Sequence, residues 1–200
     1  MHCSSRLDCF RQSIWLRQTL WLLACCFALT SSLPASAAGI DLREFTFQPG
    51  DEGYDLSVNA ELELSPAVET LLERGVTLTF RAEAEVNRPR WYWLNERVAR
   101  KVQNHQLSYQ SLTRQYRVTS GDLKQNYPTL REALRKLSRS RFRPLVERRD
   151  LKVGAAYEAS FRFYLDISQL PKPLQVSAFL GNEWALSAEP RIWTFVAEAR

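Results

Sequence analysis

The stretch Leu56–Leu64, "LSVNAELEL", carries an apolar residue at every second position, with a polar residue between each pair. Successive side chains of an extended chain point to opposite sides, so the apolar residues share one face. The same alternation covers Val76–Val86 and Tyr157–Leu165. It predicts three strands that each bury one face in a common core.

Further short strands are predicted near residues 40–48, 90–100, 106–118, 142–149, 173–180 and 191–197. The connections between them are too short for repeated strand–helix–strand crossovers, so neighbouring strands should run antiparallel. The predicted fold is mainly β, an antiparallel, immunoglobulin-like β-sandwich with two short inserted helices. A small closed barrel is the alternative that the same alternation permits.

Two segments have the signals of short helices. Ser65-Pro66 supplies a cap and a proline at the first helical position, and Gly75 can end this helix in the left-handed conformation. Farther along, Thr129 and Glu132 have the spacing of a capping box. The second helix has an apolar stripe that consists of Leu130, Ala133, Leu134 and Leu137.

Residues 1–37 have the features of a cleaved signal peptide. Arginines precede the apolar run Leu20–Leu29, and Ala35-Ser36-Ala37 provides the small residues that a signal peptidase requires. We therefore expect cleavage after Ala37, one domain over residues 38–200, and a periplasmic location. Two alternatives remain, an uncleaved N-terminal segment that anchors the chain and a lipid attached to Cys25.

The residue inventory disfavours the common catalytic chemistries. All four cysteines, at positions 3, 9, 25 and 26, precede the expected cleavage site, and His105 is the only histidine beyond it. Zinc and haem iron therefore lack their usual ligands, and no disulfide, metal or cofactor is expected. No serine stands in a G-x-S-x-G turn, and Glu96 is the only acid within ten residues of His105. We predict no catalytic residue and a protein that is not an enzyme.

Charge is unevenly distributed along the chain. Residues 38–86 carry 3 cations and 11 acids, residues 87–149 carry 16 and 4, and residues 150–200 carry 5 and 6. A chain this polarised either pairs its acidic part with its basic part or presents a basic face to an external anion.

The run Arg90–Trp93, "RWYW", places aromatic rings among cations. Arginine beside tryptophan and tyrosine suits nucleic acid, but an exported protein rarely meets one, so no nucleic-acid partner is expected. Trp91 and Trp93 are two residues apart and would share one face of a strand. We favour an interpretation in which they pack in the core, with a partner-binding surface as the alternative.

On the second predicted helix, Arg131, Arg135 and Arg139 would stand at positions i, i+4 and i+8 of one face. This charge could be balanced in three ways: by solvent and the helix dipole, by an external anionic partner, or by acidic faces of the strands. The acidic strand residues are Glu61, Glu63, Glu83 and Glu85. The candidate partner-binding residues are Arg88, Arg90, Tyr92, Arg131, Arg135 and Arg139.

Several segments of this chain resemble one bacterial family. They are "RPRWYWLNERVARK", "HQLSYQSLTRQYRV", "TLREAL", "YEASFRFYLD" and, most specifically, "LPKPLQVSAF" at residues 170–179. The chain is similar, over nearly all of the expected mature part, to the family catalogued as domain of unknown function 4390. The resemblance implies a small exported proteobacterial protein, often encoded beside a membrane sensor histidine kinase. It implies no activity and no catalytic residues.

We therefore expect a periplasmic binding module that uses its basic middle third to bind a protein at the periplasmic face of the inner membrane. A membrane sensor histidine kinase is the plausible partner. The alternative is an envelope-associated protein whose basic face binds anionic lipid or the phosphates of lipopolysaccharide.

Overall fold

The computed structural model describes residues 39–92, 94–180, 184 and 186–198. Strands dominate this part of the chain, and all of its strand pairs are antiparallel. None of its helices is long and apolar enough to cross a bilayer.

The described residues form nine strands and three α-helices. The strands are β1 Gly39–Pro49, β2 Gly53–Glu63, β3 Leu78–Arg88, β4 Glu96–Gln110, β5 Gln115–Ser120, β6 Leu123–Tyr127, β7 Arg139–Glu147, β8 Ala156–Leu165 and β9 Arg191–Val196. The helices are α1 Pro66–Glu73, α2 Leu130–Leu137 and α3 Lys172–Leu180, with short 3-10 turns at Arg148–Asp150 and Ile167–Gln169.

The strands form two separate sheets. The smaller has the order β1-β2-β7, and the larger has the order β6-β5-β4-β3-β8-β9. The predicted antiparallel β-sandwich is therefore confirmed, and the closed barrel considered as its alternative is wrong.

The core lies between the two sheets and contains the faces predicted from alternation. Its central side chains are Leu56, Val58, Ala60 and Leu62 from β2, Leu78, Phe80, Ala82, Ala84 and Val86 from β3, and Tyr157, Ala159, Phe161, Phe163 and Leu165 from β8. Each of them is less than a tenth exposed. The intervening residues of β3, among them Glu83 and Glu85, therefore belong to the outer face of the larger sheet.

Both predicted helix starts are confirmed. The Ser65 hydroxyl accepts a hydrogen bond from the Val68 amide at 3.3 Å, and Thr129 Oγ1 accepts one from the Glu132 amide at 3.3 Å. Gly75 follows α1 with a φ of +91°, the left-handed conformation that glycine adopts without strain.

Three strand predictions have the wrong bounds, and one of them, at residues 142–149, is β7, which runs from Arg139 to Glu147. The strand predicted at residues 90–100 begins only at Glu96, because Pro89 offers no amide hydrogen to the ladder and the chain turns after it. The segment 106–118 contains the end of β4, a turn in which Arg114 has a φ of +53°, and the start of β5. β6 lies outside the predicted strands, since its sequence "LKQNY" has little apolar alternation.

The strand predicted at residues 173–180 is wrong, because this segment forms α3. Pro173 lies in the first turn of the helix, where a missing amide hydrogen costs nothing. The Gln175 side chain donates to the carbonyl oxygens of Ser168 and Leu170 at 2.9 and 2.7 Å, which fixes the start of the helix against the preceding turn.

Side chains of β4 connect the two sheets along the outer edge of β7. Lys101 Nζ donates to the Pro144 carbonyl oxygen, and Gln103 Nε2 donates to that of Arg141, each at 2.6 Å. At the opposite side of the sandwich, between β1 and β9, Trp193 packs against Phe45. Polar bonds therefore join the sheets on one side, and aromatic rings join them on the other.

Candidate functional site

The cations of the basic middle third fall into two groups with different surroundings. In the first group, Arg88 and Arg90 both bind the carboxylate of Glu96, the latter at 2.6 Å. The hydrogen bond from Arg90 and the charge of Arg88 hold the pKa of Glu96 below its usual range. These guanidinium groups are therefore neutralised in part by a residue of the same hairpin.

The same hairpin carries further ion pairs on its outer face. Arg97 lies 3.7 Å and Arg100 lies 3.2 Å from a carboxylate oxygen of Glu85. Arg100 also binds Glu83, which is only 2% exposed. The acidic residues of β3 are thus used within their own sheet.

The second group has no such partners. It consists of Arg114, Arg117, Lys124, Arg131, Arg135, Lys136, Arg139 and Arg141. No carboxylate oxygen of a described residue lies within 4.0 Å of any of them. The basic middle third is therefore paired internally near the turn after β3 and unpaired around α2, β5, β6 and the start of β7.

Four of the unpaired arginines follow one another along α2 and β7. Arg131 and Arg135 are exposed on α2, one helical turn or about 6 Å apart along the axis. Arg139 and Arg141 are exposed at alternate positions of β7, about 7 Å apart. We name these four residues the arginine strip.

The predicted stacking of Arg131, Arg135 and Arg139 on one helix is wrong. α2 ends at Leu137, Ser138 is its C-cap, and Arg139 is the first residue of β7. Arg141 lies outside the predicted set, although the alternation "RSRFR" at residues 139–143 indicates it.

The residues directly opposite the strip on the smaller sheet are neutral. Arg139 is opposite Asn59, and Arg141 is opposite Ser57. Glu61, one of the acids considered as an internal partner, binds Arg43 at 2.6 Å. Together with the pairs of Glu83 and Glu85, this excludes three of the four predicted internal partners.

The aromatic run is exposed. Trp91 is 95% exposed, Tyr92 is 65% exposed and Leu94 is 81% exposed, and the two rings touch edge to face with centroids 5.1 Å apart. The core interpretation is therefore wrong for Trp91, and Trp93 lies outside the described residues. We name Trp91, Tyr92 and Leu94 the aromatic turn.

The predicted site residues do not form one site. Arg88 and Arg90 bind Glu96 at the start of β4, and Tyr92 lies in the turn just before it. By contrast, α2 reaches β4 near His105, where the charge of Lys136 lowers the pKa of the histidine. Nine residues of strand separate these points, or about 30 Å. The structure thus offers two separate surfaces, the aromatic turn and the arginine strip.

An open cleft of about 460 Å³ adjoins the aromatic turn. It is lined by Glu85, Asn87, Leu94, Asn95 and Arg97. Its polar lining offers both a carboxylate and a guanidinium group to a small polar ligand.

His105 is held in a buried polar cluster. Its Nδ1 lies 2.6 Å from Ser120 Oγ and its Nε2 lies 3.5 Å from Ser140 Oγ, and the residue is 5% exposed. Burial lowers its pKa, and the charge of Lys136 lowers it further. Both ring nitrogens face hydroxyl groups below the surface, an arrangement suited to connecting β4, β5 and β7. The described residues hold no cluster of metal-binding side chains.

Comparison with known protein families matches this chain to a family model. The model of a family described as "Domain of unknown function (DUF4390)" matches residues 37–194. No curated protein and no solved structure matches the chain significantly.

Proposed function

Because the chain belongs to the domain of unknown function 4390 family, whose description assigns no activity, we propose its function from its surface. The protein is a periplasmic, non-enzymatic binding module. Its arginine strip binds an acidic surface of a protein partner at the periplasmic face of the inner membrane, with a membrane sensor histidine kinase as the plausible partner.

One observation carries this proposal. The strip arginines lack a carboxylate partner among the described residues, although many other arginines of the chain have one. Arg43, Arg90 and Arg100 each bind a carboxylate of the same domain, whereas the four strip residues have none among the described residues. Like charges at this spacing repel one another, so carboxylates from outside would relieve an existing cost. Guanidinium groups also bind carboxylates with two parallel hydrogen bonds, which favours arginine at such an interface.

The strip also limits the form of the partner. Its two arginines on α2 are about 6 Å apart along the helix axis, and its two arginines on β7 are about 7 Å apart along the strand. An acidic helix with carboxylates one turn apart, or an acidic strand with carboxylates at alternate positions, would match either half. Charge complementarity of this kind mainly raises the association rate and the salt dependence of binding.

The surroundings of His105 support a function without catalysis. A general base needs a ring nitrogen within reach of a substrate, and both nitrogens of His105 face serine hydroxyls in the interior. The residue is better suited to stabilise the fold.

The test is cross-linked capture from intact cells, followed by mass spectrometry of the captured proteins. The strip variant is R131E/R135E/R139E, and the control is R114E/R117E/K124E, which reverses three other unpaired cations and has the same net charge. We expect the strip variant to keep its melting temperature and to lose the captured partner, while the control keeps both. Equal capture by both variants would overturn the proposal.

A second assay separates protein from lipid as the ligand of the strip. Sedimentation with protein-free anionic vesicles should be the same for the strip variant and the control. If only the strip variant loses sedimentation, the strip binds anionic lipid or lipopolysaccharide phosphate, and a protein partner at this surface is rejected.

A further inference from the structure

The aromatic turn is an apolar projection at the end of a long hairpin. It connects β3 and β4, which pair without interruption from Leu78 opposite Leu107 to Val86 opposite Ala99 before one register shift. Trp91, Tyr92 and Leu94 expose most of their side-chain surface beyond the last strand pair. Large apolar groups this exposed indicate a binding surface.

The charges nearest to this projection are already neutralised in part. Arg88 and Arg90 have side chains only 23% and 31% exposed, and both bind Glu96. The cations are thereby held at the base of the turn, and the rings project beyond them. An apolar tip above a basic base is the arrangement found where proteins enter the interface of a membrane.

The loop just before β8 also lies at the end of the larger sheet that carries the aromatic turn. β8 runs antiparallel to β3, with Glu158 opposite Asn87, so the residues just before β8 lie beside the turn after β3. In this loop Val153 is 67% exposed, and the neighbouring Lys152 is also exposed. The end of the sheet that carries the aromatic turn therefore also carries a further exposed apolar side chain and a cation.

The cleft beside Leu94 is placed where lipid headgroups would lie if the aromatic turn entered a bilayer. Arg97 can bind a phosphate, and its side chain is 59% exposed. Glu85 is already paired with Arg97 and Arg100, so the side-chain carbonyl oxygens of Asn87 and Asn95 are the acceptors left for an ammonium headgroup. The cleft thus combines a guanidinium group and amide side chains with Leu94 of the aromatic turn in its lining.

We propose that the aromatic turn seats this protein on a phospholipid bilayer, with Trp91, Tyr92 and Leu94 in the interfacial layer and the adjoining cleft at the level of the headgroups. Among its described residues, the turn exposes only three large side chains, and so it offers a protein partner too little area for a stable interface, which buries about 800 Å² on each side. A bilayer needs no matching shape, because lipids rearrange around inserted rings. The nearest strip residue, Arg141, bonds to Gln103, seven positions along β4 from Glu96 or about 23 Å away, so both surfaces can be occupied together.

The test is sedimentation of the purified domain, residues 38–200, with vesicles of phosphatidylethanolamine and phosphatidylglycerol. The turn variant is W91S/Y92S/L94S, and all three positions are exposed, so its melting temperature should equal that of the wild type. We expect the variant to bind vesicles at least about tenfold more weakly, because insertion of the three side chains is lost. The strip variant R131E/R135E/R139E should still bind through its intact turn.

Several results would overturn the inference. Equal binding by the wild type and the turn variant would do so, as would no binding by either protein. Loss of vesicle binding in the strip variant alone would assign lipid to the strip and reject the turn. If the turn variant binds vesicles normally but loses the cross-linked partner, the aromatic turn binds protein, and lipid is rejected there.

Discussion

Nε of Arg100 donates a hydrogen bond to Oε1 of Glu83 at 2.5 Å and so joins β4 to β3 on the outer face of the larger sheet. On the opposite side of Glu83, Nη2 of Arg162, in β8, donates a hydrogen bond to Oε2 of the same carboxylate at 3.1 Å. Glu83 is 2% exposed, with a guanidinium group on each side. One carboxylate therefore links three adjacent strands.

The first prediction is that Glu83→Ala lowers the free energy of unfolding by about 3 kcal/mol, because it leaves two arginines without their shared partner. This loss of stability is near the lower end of the range expected when a buried ion pair is broken, because the side chains of Arg100 and Arg162 are 43% and 52% exposed to water. Urea unfolding measures it. The control is Glu61→Ala, which breaks an exposed pair with Arg43 and should cost less than about 1 kcal/mol. Equal losses would contradict this account of Glu83.

The second prediction is that Trp91→Ser changes the free energy of unfolding by no more than about 0.5 kcal/mol, because Trp91 is 95% exposed. Phe161 is 1% exposed and serves as the comparison. Its replacement by alanine should cost about 3 to 5 kcal/mol. Denaturant unfolding followed by circular dichroism measures both variants, and a large loss for Trp91→Ser would show that the ring packs against the domain.

The third prediction concerns the pH dependence of stability. The folded-state pKa of His105 lies below the value of about 6.5 expected in the unfolded chain, so the unfolded chain binds the proton more readily between the two values. The stability present above about pH 6.5 should therefore be lost as the pH falls through the folded-state pKa. The slope cannot exceed about 1.4 kcal/mol per pH unit for this one group.

The comparison is His105→Gln, which can still bond to Ser120 and Ser140 but does not titrate. Unfolding free energies at several values between pH 5 and pH 8 should fall more steeply for the wild type than for this variant. Lys136, the charged group that acts on the histidine, is present in both proteins. Parallel curves would mean that His105 does not contribute to acid sensitivity.

The fourth prediction concerns the cap of α2, the helix that carries half of the arginine strip. Thr129→Ala removes the hydroxyl that accepts from the Glu132 amide and should lower the free energy of unfolding by about 1 kcal/mol. Thr129→Asp should restore stability, because its carboxylate can cap the same amide and suits the positive end of the helix dipole. Thermal unfolding of the two variants distinguishes a lost cap from lost packing, since packing would not be rescued by aspartate.

Much of the fold could be predicted from local patterns. Alternation identified the buried faces of β2, β3 and β8, and cap residues marked the starts of α1 and α2. The strand prediction for residues 173–180 is wrong, and α3 forms there although Pro171 and Pro173 stand at its start. Position decides their effect, since a proline in the first helical turn is tolerated and one in a helix interior is not.

Much less of the candidate site could be predicted. The expectation that Trp91 is buried used the two-residue period of a strand, but Pro89 precedes it and the strand has ended. The partners of the arginines depend on strand register. Arg162 reaches Glu83 from 79 positions away in sequence, and local charge counts carry no information on such a pair. Which cations stay unpaired therefore becomes visible only with the sheet order.

The hydrogen bonds from Lys101 and Gln103 to the backbone of β7 have a consequence for self-association. An edge strand with free carbonyl groups can template the addition of a strand from another molecule, which leads to aggregates. Two of these acceptors on β7 are occupied by side chains of β4, and Pro144 gives a neighbouring chain no amide hydrogen to pair with. Loss of both side-chain donors would expose this template, so K101M/Q103L should form thioflavin-positive aggregates faster than the wild type.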